Sequence, residues 1–170
     1  MNIKDNYLTP EEFDKIQTLI IGSEFPWFWN DRIVYEDDID NFQFIHLFYL
    51  DFISQSPFIK ILNPIIEKLN PMSLYRIKAN LLTRTPNIVE YPFHVDQQQL
   101  PEEKQKQMTT SIFYVNTNNG YTKFLDGTIV ESVKNRMITF PANTKHTGTS
   151  CTDEKRRVVI NFNYFSNRKL

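Results

Sequence analysis

His94-Val95-Asp96 sets an imidazole and a carboxylate two residues apart. In an extended chain, residues i and i+2 share a face, so both side chains can grip one ion. The chain has three histidines, His46, His94 and His146, and the last follows Asp96 by 50 residues. Two imidazoles and one carboxylate make the donor set that holds Fe(II) while leaving adjacent coordination positions open. A His-x-Asp tripeptide is weak evidence alone, because a histidine at a strand end is commonly a hydrogen-bonded structural residue. The surroundings of His146 add to it. Pro141-Ala142-Asn143-Thr144-Lys145 reads as a loop leading into His146, and Arg156-Arg157 opens an apolar run shortly afterwards.

An arginine there has a chemical purpose. If the ion takes a keto acid through its keto oxygen and adjacent carboxylate, the far carboxylate needs a buried cation, and guanidinium binds carboxylate bidentately. Strand alternation puts Arg157, Val159, Asn161 and Asn163 on one face, and Arg156, Val158, Ile160, Phe162 and Tyr164 on the other. A polar ligand cavity wants the first set. Arg157 is therefore the expected anchor, and Arg156 belongs with the solvated run Asp153-Glu154-Lys155. Asn80, in Ala79-Asn80-Leu81, either points into the same cavity as a cosubstrate-binding residue beside Arg157 or marks a sheet edge.

The elements that must position these residues are mostly strands. Thr9-Pro10-Glu11-Glu12 reads as a capped helix start, with Phe13, Ile16, Ile20 and Ile21 as its apolar stripe and Gly22 as its stop. Residues 42–50 alternate as a strand. Residues 57–69 read as helix, with Pro64 either kinking it or starting a second helix after an Asn63 cap. Short strands are then expected over 74–83, 91–96, 109–116, 121–125, 128–133, 137–140 and 158–165, with turns at Asn118-Asn119-Gly120 and Asp126-Gly127. Residues 97–107 are polar and without a stripe, which predicts an exposed, mobile lid following Asp96. Helices followed by closely spaced strands predict an α+β chain: a jelly roll backed by N-terminal helices, with helical support over about 1–72 and the core over about 73–165. His46 reads as structural, Trp27 and Trp29 as buried wall residues, and Cys151 as a free thiol near the surface.

The 170 residues fit one domain, and 41% hydrophobic with 23% charged residues is a globular composition. Nineteen bases against 20 acids give no electrostatic pull toward nucleic acid or anionic membrane. One cysteine excludes an internal disulfide framework. No apolar stretch has membrane-span length and no leader pattern opens the chain, so a cytoplasmic protein is expected.

From Ser73 to Phe165 the chain resembles the 2-oxoglutarate- and Fe(II)-dependent oxygenases, in particular the prolyl-4-hydroxylase-like branch and its small phage and marine-bacterial versions. The resemblance rests on His94-Val95-Asp96, Tyr114-Val115-Asn116, Asn119-Gly120-Tyr121-Thr122, residues 135–140, His146 and Arg157, in that order. It implies a cupin-like double-stranded β-helix with Fe(II) on His94, Asp96 and His146. It also implies 2-oxoglutarate reaching Arg157, with the Tyr114 hydroxyl on the same distal carboxylate. Dioxygen is the oxidant and ascorbate the candidate reductant. The activity implied is oxidative decarboxylation to succinate coupled to C–H hydroxylation of a peptide or amino acid, with proline favoured. Tyr91 matches a substrate-side tyrosine, and Asn161 and Asn163 line the substrate mouth on the Arg157 face. Asn163 departs from a tryptophan that helps hold the target proline in the animal enzymes, and Gln107 stands where those enzymes have a substrate-contacting arginine. Asn163 also lacks the second arginine of nucleic-acid demethylases. A phage source would put the protein in the host cytoplasm. Two other readings share the donor set: a cupin-type metalloenzyme that does not use 2-oxoglutarate, and an inactive jelly-roll binding module. Arg157 and Tyr114 argue against the first, and the intact three ligands against the second.

Overall fold

In the computed structural model, which describes residues 1–35 and 40–166, two facing antiparallel sheets form a double-stranded β-helix. The large sheet is built from β1 (Asn2–Lys4), β2 (Phe28–Asn30), β3 (Gln43–Leu50), β4 (Ile53–Ser54), β5 (Ser73–Thr83), β6 (Met108–Tyr114), β9 (Arg136–Pro141) and β11 (Arg156–Phe165). Its order is β1-β9-β6-β11-β5-β3-β2, with β4 beside β3. The small sheet is β10 (His146–Gly148), β7 (Tyr121–Phe124) and β8 (Ile129–Glu131), in that order.

Alternation sorts the long strands between two cores. On β11, Val158, Ile160, Phe162 and Tyr164 pack outward against the helices, while Val159 turns into the space between the sheets with Ile112, Tyr114, Phe124, Val130, Ile138 and Phe140. On β5, Ile77, Ala79 and Leu81 join the outer core. The opposite face, Lys78, Asn80 and Leu82, opens into the barrel. Helix α1 (Pro10–Ile21) lays Phe13, Ile16 and Ile20 on the outer face. Its start is a capping box: Thr9 Oγ1 accepts from Glu12 N, and a Glu12 carboxylate oxygen accepts from Thr9 N at 3.0 Å.

Several expectations are corrected. Residues 57–69 form a 3₁₀ helix (Pro57–Leu62) and then α2 (Asn63–Leu69), so Pro64 does begin a second helix. Asn63 does not cap it: Asn63 is helical and α2 has no side-chain cap, whereas the 3₁₀ helix before it is capped by Ser56, whose hydroxyl accepts from Phe58 N at 3.2 Å. Within residues 1–72 the expected strand near 42–50 is joined by three short ones, β1, β2 and β4, in the large sheet. The stretch 91–96 is not a regular strand. Isolated bridges, Glu90 to Thr149 and His94 to His146, and a bond from Thr147 Oγ1 to Tyr91 O at 2.6 Å hold it along β10 and the residue after it. Residues 97–107 are not a bare exposed loop: Gln97 and Gln105 are buried, and a single turn, α3 (Glu102–Gln105), precedes β6. The Gln105 side-chain amide donates to Gln97 O and Leu100 O at 3.1 and 2.8 Å. Cys151 is fully buried, and Trp29 is 59% exposed, stacked on Phe42 at 4.5 Å.

Candidate metal and cosubstrate site

His94 and His146 come together through their own backbones. His94 N donates to His146 O at 2.9 Å and His146 N to His94 O at 3.0 Å, so the irregular segment and β10 present their rings 5.0 Å apart. Asp96 stands two residues on, and one ligand atom from each of the three side chains lies within 4.8 Å of the others. Each imidazole Nδ1 faces a backbone carbonyl, Pro92 O at 3.1 Å and Thr144 O at 3.0 Å. A carbonyl can only accept, so Nδ1 carries the hydrogen and both Nε2 lone pairs are left for a cation. Burial, with His146 alongside, pushes the His94 pKa down to about 4, which keeps the ring neutral near pH 7. Phe140 and Phe124 fix the His146 ring from its other sides.

The carboxylate is aimed by amides. Asn161 Nδ2 donates to the two Asp96 oxygens at 3.1 and 3.2 Å, and Asn163 Nδ2 to Oδ2 at 2.9 Å. Arg76 Nη2 pairs with Oδ1 at 3.3 Å. Burial alone would raise the Asp96 pKa; the Arg76 cation, the two imidazoles and the Asn163 bond outweigh it and hold the carboxyl well below the usual range. Asn163 is itself braced, donating to Thr110 Oγ1 at 3.0 Å and accepting from Arg76 Nε at 3.0 Å. The Nδ2 groups of both expected mouth residues, Asn161 and Asn163, are thus engaged by Asp96, and Asn161 also lines the cavity beside the cluster. Two imidazoles with Nε2 turned to the cluster and an ionised carboxylate converging from a polar frame fit a divalent transition-metal ion.

A narrow cavity of about 80 Å³ runs from this cluster to Arg157. Arg157 is 3% exposed, while Arg156 turns away and donates from Nη2 to Ile21 O at 2.7 Å. Arg157 Nε donates to Ser132 Oγ at 2.8 Å and Nη2 to Thr122 Oγ1 at 3.2 Å. Among the described residues no carboxylate pairs with it, and burial lowers its pKa from the free value. Two of the four glycines make its bed. A Cβ on Gly120 would stand 2.7 Å from Arg157 Cδ and 2.5 Å from Ser150 O, and one on Gly148 would stand 3.3 Å from Nη1. Tyr114 lies one step behind the cavity wall: its hydroxyl donates to Thr122 Oγ1 at 2.8 Å, and the Arg157 guanidinium lies 5.8 Å from its ring centroid. Burial raises its pKa. Asn80 and Tyr91 both line the cavity, and Asn80 Oδ1 is a buried acceptor with no donor.

Sequence reasoning missed Arg76, Lys78, Thr122 and Ser132. The first two had a signal, because Arg76, Lys78 and Asn80 alternate with Ile77, Ala79 and Leu81. Lys78 lines the cavity; burial and the Arg76 cation push its pKa down to about 8. His46 lies outside the site, its Nδ1 2.7 Å from Pro26 O and its Nε2 2.8 Å from Ser56 Oγ.

No family model and no curated protein matches the chain. Solved structures do. A Pseudomonas putida prolyl-4-hydroxylase aligns with 98% of this chain and 92% of its own at 12% identity and a TM-score of 0.61. A Trichoplax adhaerens prolyl hydroxylase, in complex with a hypoxia-inducible-factor peptide fragment, covers 97% and 83% at 12% identity and 0.61. The epimerase SnoN of nogalamycin biosynthesis, in complex with Fe3+, alpha-ketoglutarate and nogalamycin RO, covers 96% and 78% at 12% identity and 0.66. The chain thus has the fold of the 2-oxoglutarate-Fe(II) oxygenases and prolyl hydroxylases. No helix among the described residues is long and apolar enough to cross a membrane.

Proposed function

We propose that the protein is a 2-oxoglutarate-dependent Fe(II) oxygenase that hydroxylates a C–H bond of a peptide or amino acid. One observation carries the reading: Arg157 is a buried cation without an anionic partner among the described residues, on the same narrow cavity as the His94, Asp96 and His146 cluster. A buried, unpaired guanidinium is costly unless a ligand supplies the counter-charge. A cupin-type metalloenzyme without a diacid cosubstrate has no such need.

In this reading His94 Nε2, His146 Nε2 and an Asp96 oxygen hold Fe(II). The metal supplies the chemistry when bound, coupling decarboxylation of 2-oxoglutarate by dioxygen to substrate oxidation. The chain's own residues place and shield the reactants. Arg157 takes the distal carboxylate of 2-oxoglutarate, with Thr122 and Ser132 locking the guanidinium and Tyr114 fixing Thr122 from behind. Asn161, Asn163 and Arg76 stop the Asp96 carboxylate from rotating. Phe124, Phe140 and Ile112 line the inside of the barrel and keep water from the reacting centre. Tyr91 stands at the substrate side.

The test is anaerobic titration of the purified protein with Fe(II) and then 2-oxoglutarate, followed by succinate release in air. Stoichiometric Fe(II) binding that His94→Ala abolishes is expected. Wild-type Fe(II) affinity in that variant would remove the assignment.

A further inference from the structure

Lys78 and Asn80 remain unexplained by cosubstrate binding, the reading on which this inference rests. They are adjacent inward residues of β5, opposite Asn161 and Val159 of β11 respectively, so Lys78 stands at the level of the Asp96 clamp and Asn80 one step toward Arg157. Both line the cavity that holds the three candidate ligands. Among the described residues the Lys78 ammonium has no hydrogen bond or ion pair; the carboxylate whose charge reaches it, Asp96, is engaged by Arg76 and two asparagines. Asn80 has the converse deficit. Its Nδ2 donates to Asn161 Oδ1 at 3.5 Å, while Oδ1 is buried without a donor. Asn80 Oδ1 is a buried acceptor awaiting a donor, and the half-buried Lys78 side chain lines the same cavity, which marks where a ligand completes both.

The deficits specify that ligand. A lysine needs an anionic acceptor, and 2-oxoglutarate already has Arg157 and the metal for its two ends. Asn80 Oδ1 needs an N–H, which 2-oxoglutarate does not carry. We infer that the primary substrate is a free α-amino acid, its carboxylate on the Lys78 ammonium and its amino N–H on Asn80 Oδ1, with the side chain turned toward the metal. A residue within a peptide has no free carboxylate for Lys78.

The experiment compares free L-amino acids, proline included, with their N-acetyl, C-amide counterparts on the Mn(II)- and 2-oxoglutarate-loaded protein. Binding is read by calorimetry, and succinate release is read on the Fe(II) form. Binding of 2-oxoglutarate to the wild type is measured first; its failure would refute the oxygenase reading separately from this one. The expected result is that at least one free amino acid binds about tenfold or more tightly than its blocked counterpart. In Lys78→Met the preference should vanish while 2-oxoglutarate affinity is kept. Lys78→Gln serves if the Met variant does not fold, and the wild-type comparison needs no variant. Blocked forms binding as well as free ones, no free amino acid binding, or a preference that survives Lys78→Met would each overturn the inference. So would a Lys78→Met variant that loses 2-oxoglutarate instead, since the ammonium would then belong to the cosubstrate.

Discussion

Replacing Asn163 with alanine probes the frame around the metal without touching a ligand. Asn163 is fully buried, and its Nδ2 donates to Asp96 Oδ2 at 2.9 Å and to Thr110 Oγ1 at 3.0 Å. A hydrogen bond to a charged group contributes about 1.5–3 kcal/mol, and each ~1.4 kcal/mol is tenfold in an equilibrium constant. Loss of the Asp96 bond should therefore weaken Fe(II) or Mn(II) binding by about 10–100-fold, the range usual for partners that orient metal ligands. Asn163 Oδ1 also accepts from Arg76 Nε at 3.0 Å, so the variant strands part of a buried guanidinium and should melt earlier as well. Calorimetric titration with Mn(II), on samples whose melting shows a folded state at the assay temperature, separates the two effects. Unchanged metal affinity in a folded Asn163→Ala protein would refute the view that this amide aims the carboxylate.

Arg157→Ala should raise the Kd for 2-oxoglutarate by about 100-fold or more while metal affinity holds, and Arg156→Ala should leave both unchanged; the reverse ranking in a titration would invert the assigned face. Gly120→Ala should reproduce the Arg157 phenotype in weaker form, because the new methyl meets Arg157 Cδ at 2.7 Å and Ser150 O at 2.5 Å; an alanine variant with wild-type 2-oxoglutarate affinity would contradict it. For the metal-free protein, the His94 pKa of about 4 against 6.5 in an unfolded chain means the unfolded state binds the extra proton between those values. Stability is then full above pH 6.5 and falls by about 3 kcal/mol as pH drops toward 4, which denaturant melts across that window would show. Gln105→Ala removes the two bonds by which the Gln105 amide holds the Gln97 and Leu100 carbonyls, and cleavage within 98–104 by a protease should accelerate several-fold relative to the parent.

The large-scale plan was readable because burial imposes period 2 on β11 and β6 and period 3.6 on α1, and those periods survive in the residue types. The same alternation carries Arg157 inward and Arg156 out to Ile21 O. What escaped was decided by long-range partners. Residues 91–96 look strand-like, yet isolated bridges hold them in place of a continuous ladder, because the turn that points Asp96 at Arg76, Asn161 and Asn163 interrupts it. Residues 97–107 look solvated since nothing local reveals that Gln97 packs within 2.9 Å of Asn163 Oδ1. Cys151 has charged neighbours at 153–156 but is covered by the fold, its Sγ 3.4 Å from Glu154 O. Asn161 and Asn163 fall on the inward face as alternation requires; that their amides serve Asp96 depends on a segment 65 and 67 residues away.

One strand, β11, bears both Arg157 and the asparagines that fix Asp96. Its rise of ~3.3 Å per residue makes the four steps from Arg157 to Asn161 about 13 Å of unyielding backbone. In the proposed reading, the step from Arg157 to the asparagines that brace Asp96 is set along this one strand, while the metal ligands themselves come from the 94–96 segment and β10. A keto diacid one methylene longer or shorter than 2-oxoglutarate would then misplace either its far carboxylate or its chelating end, and discrimination among diacids by length would follow from the sheet itself, set before any substrate arrives.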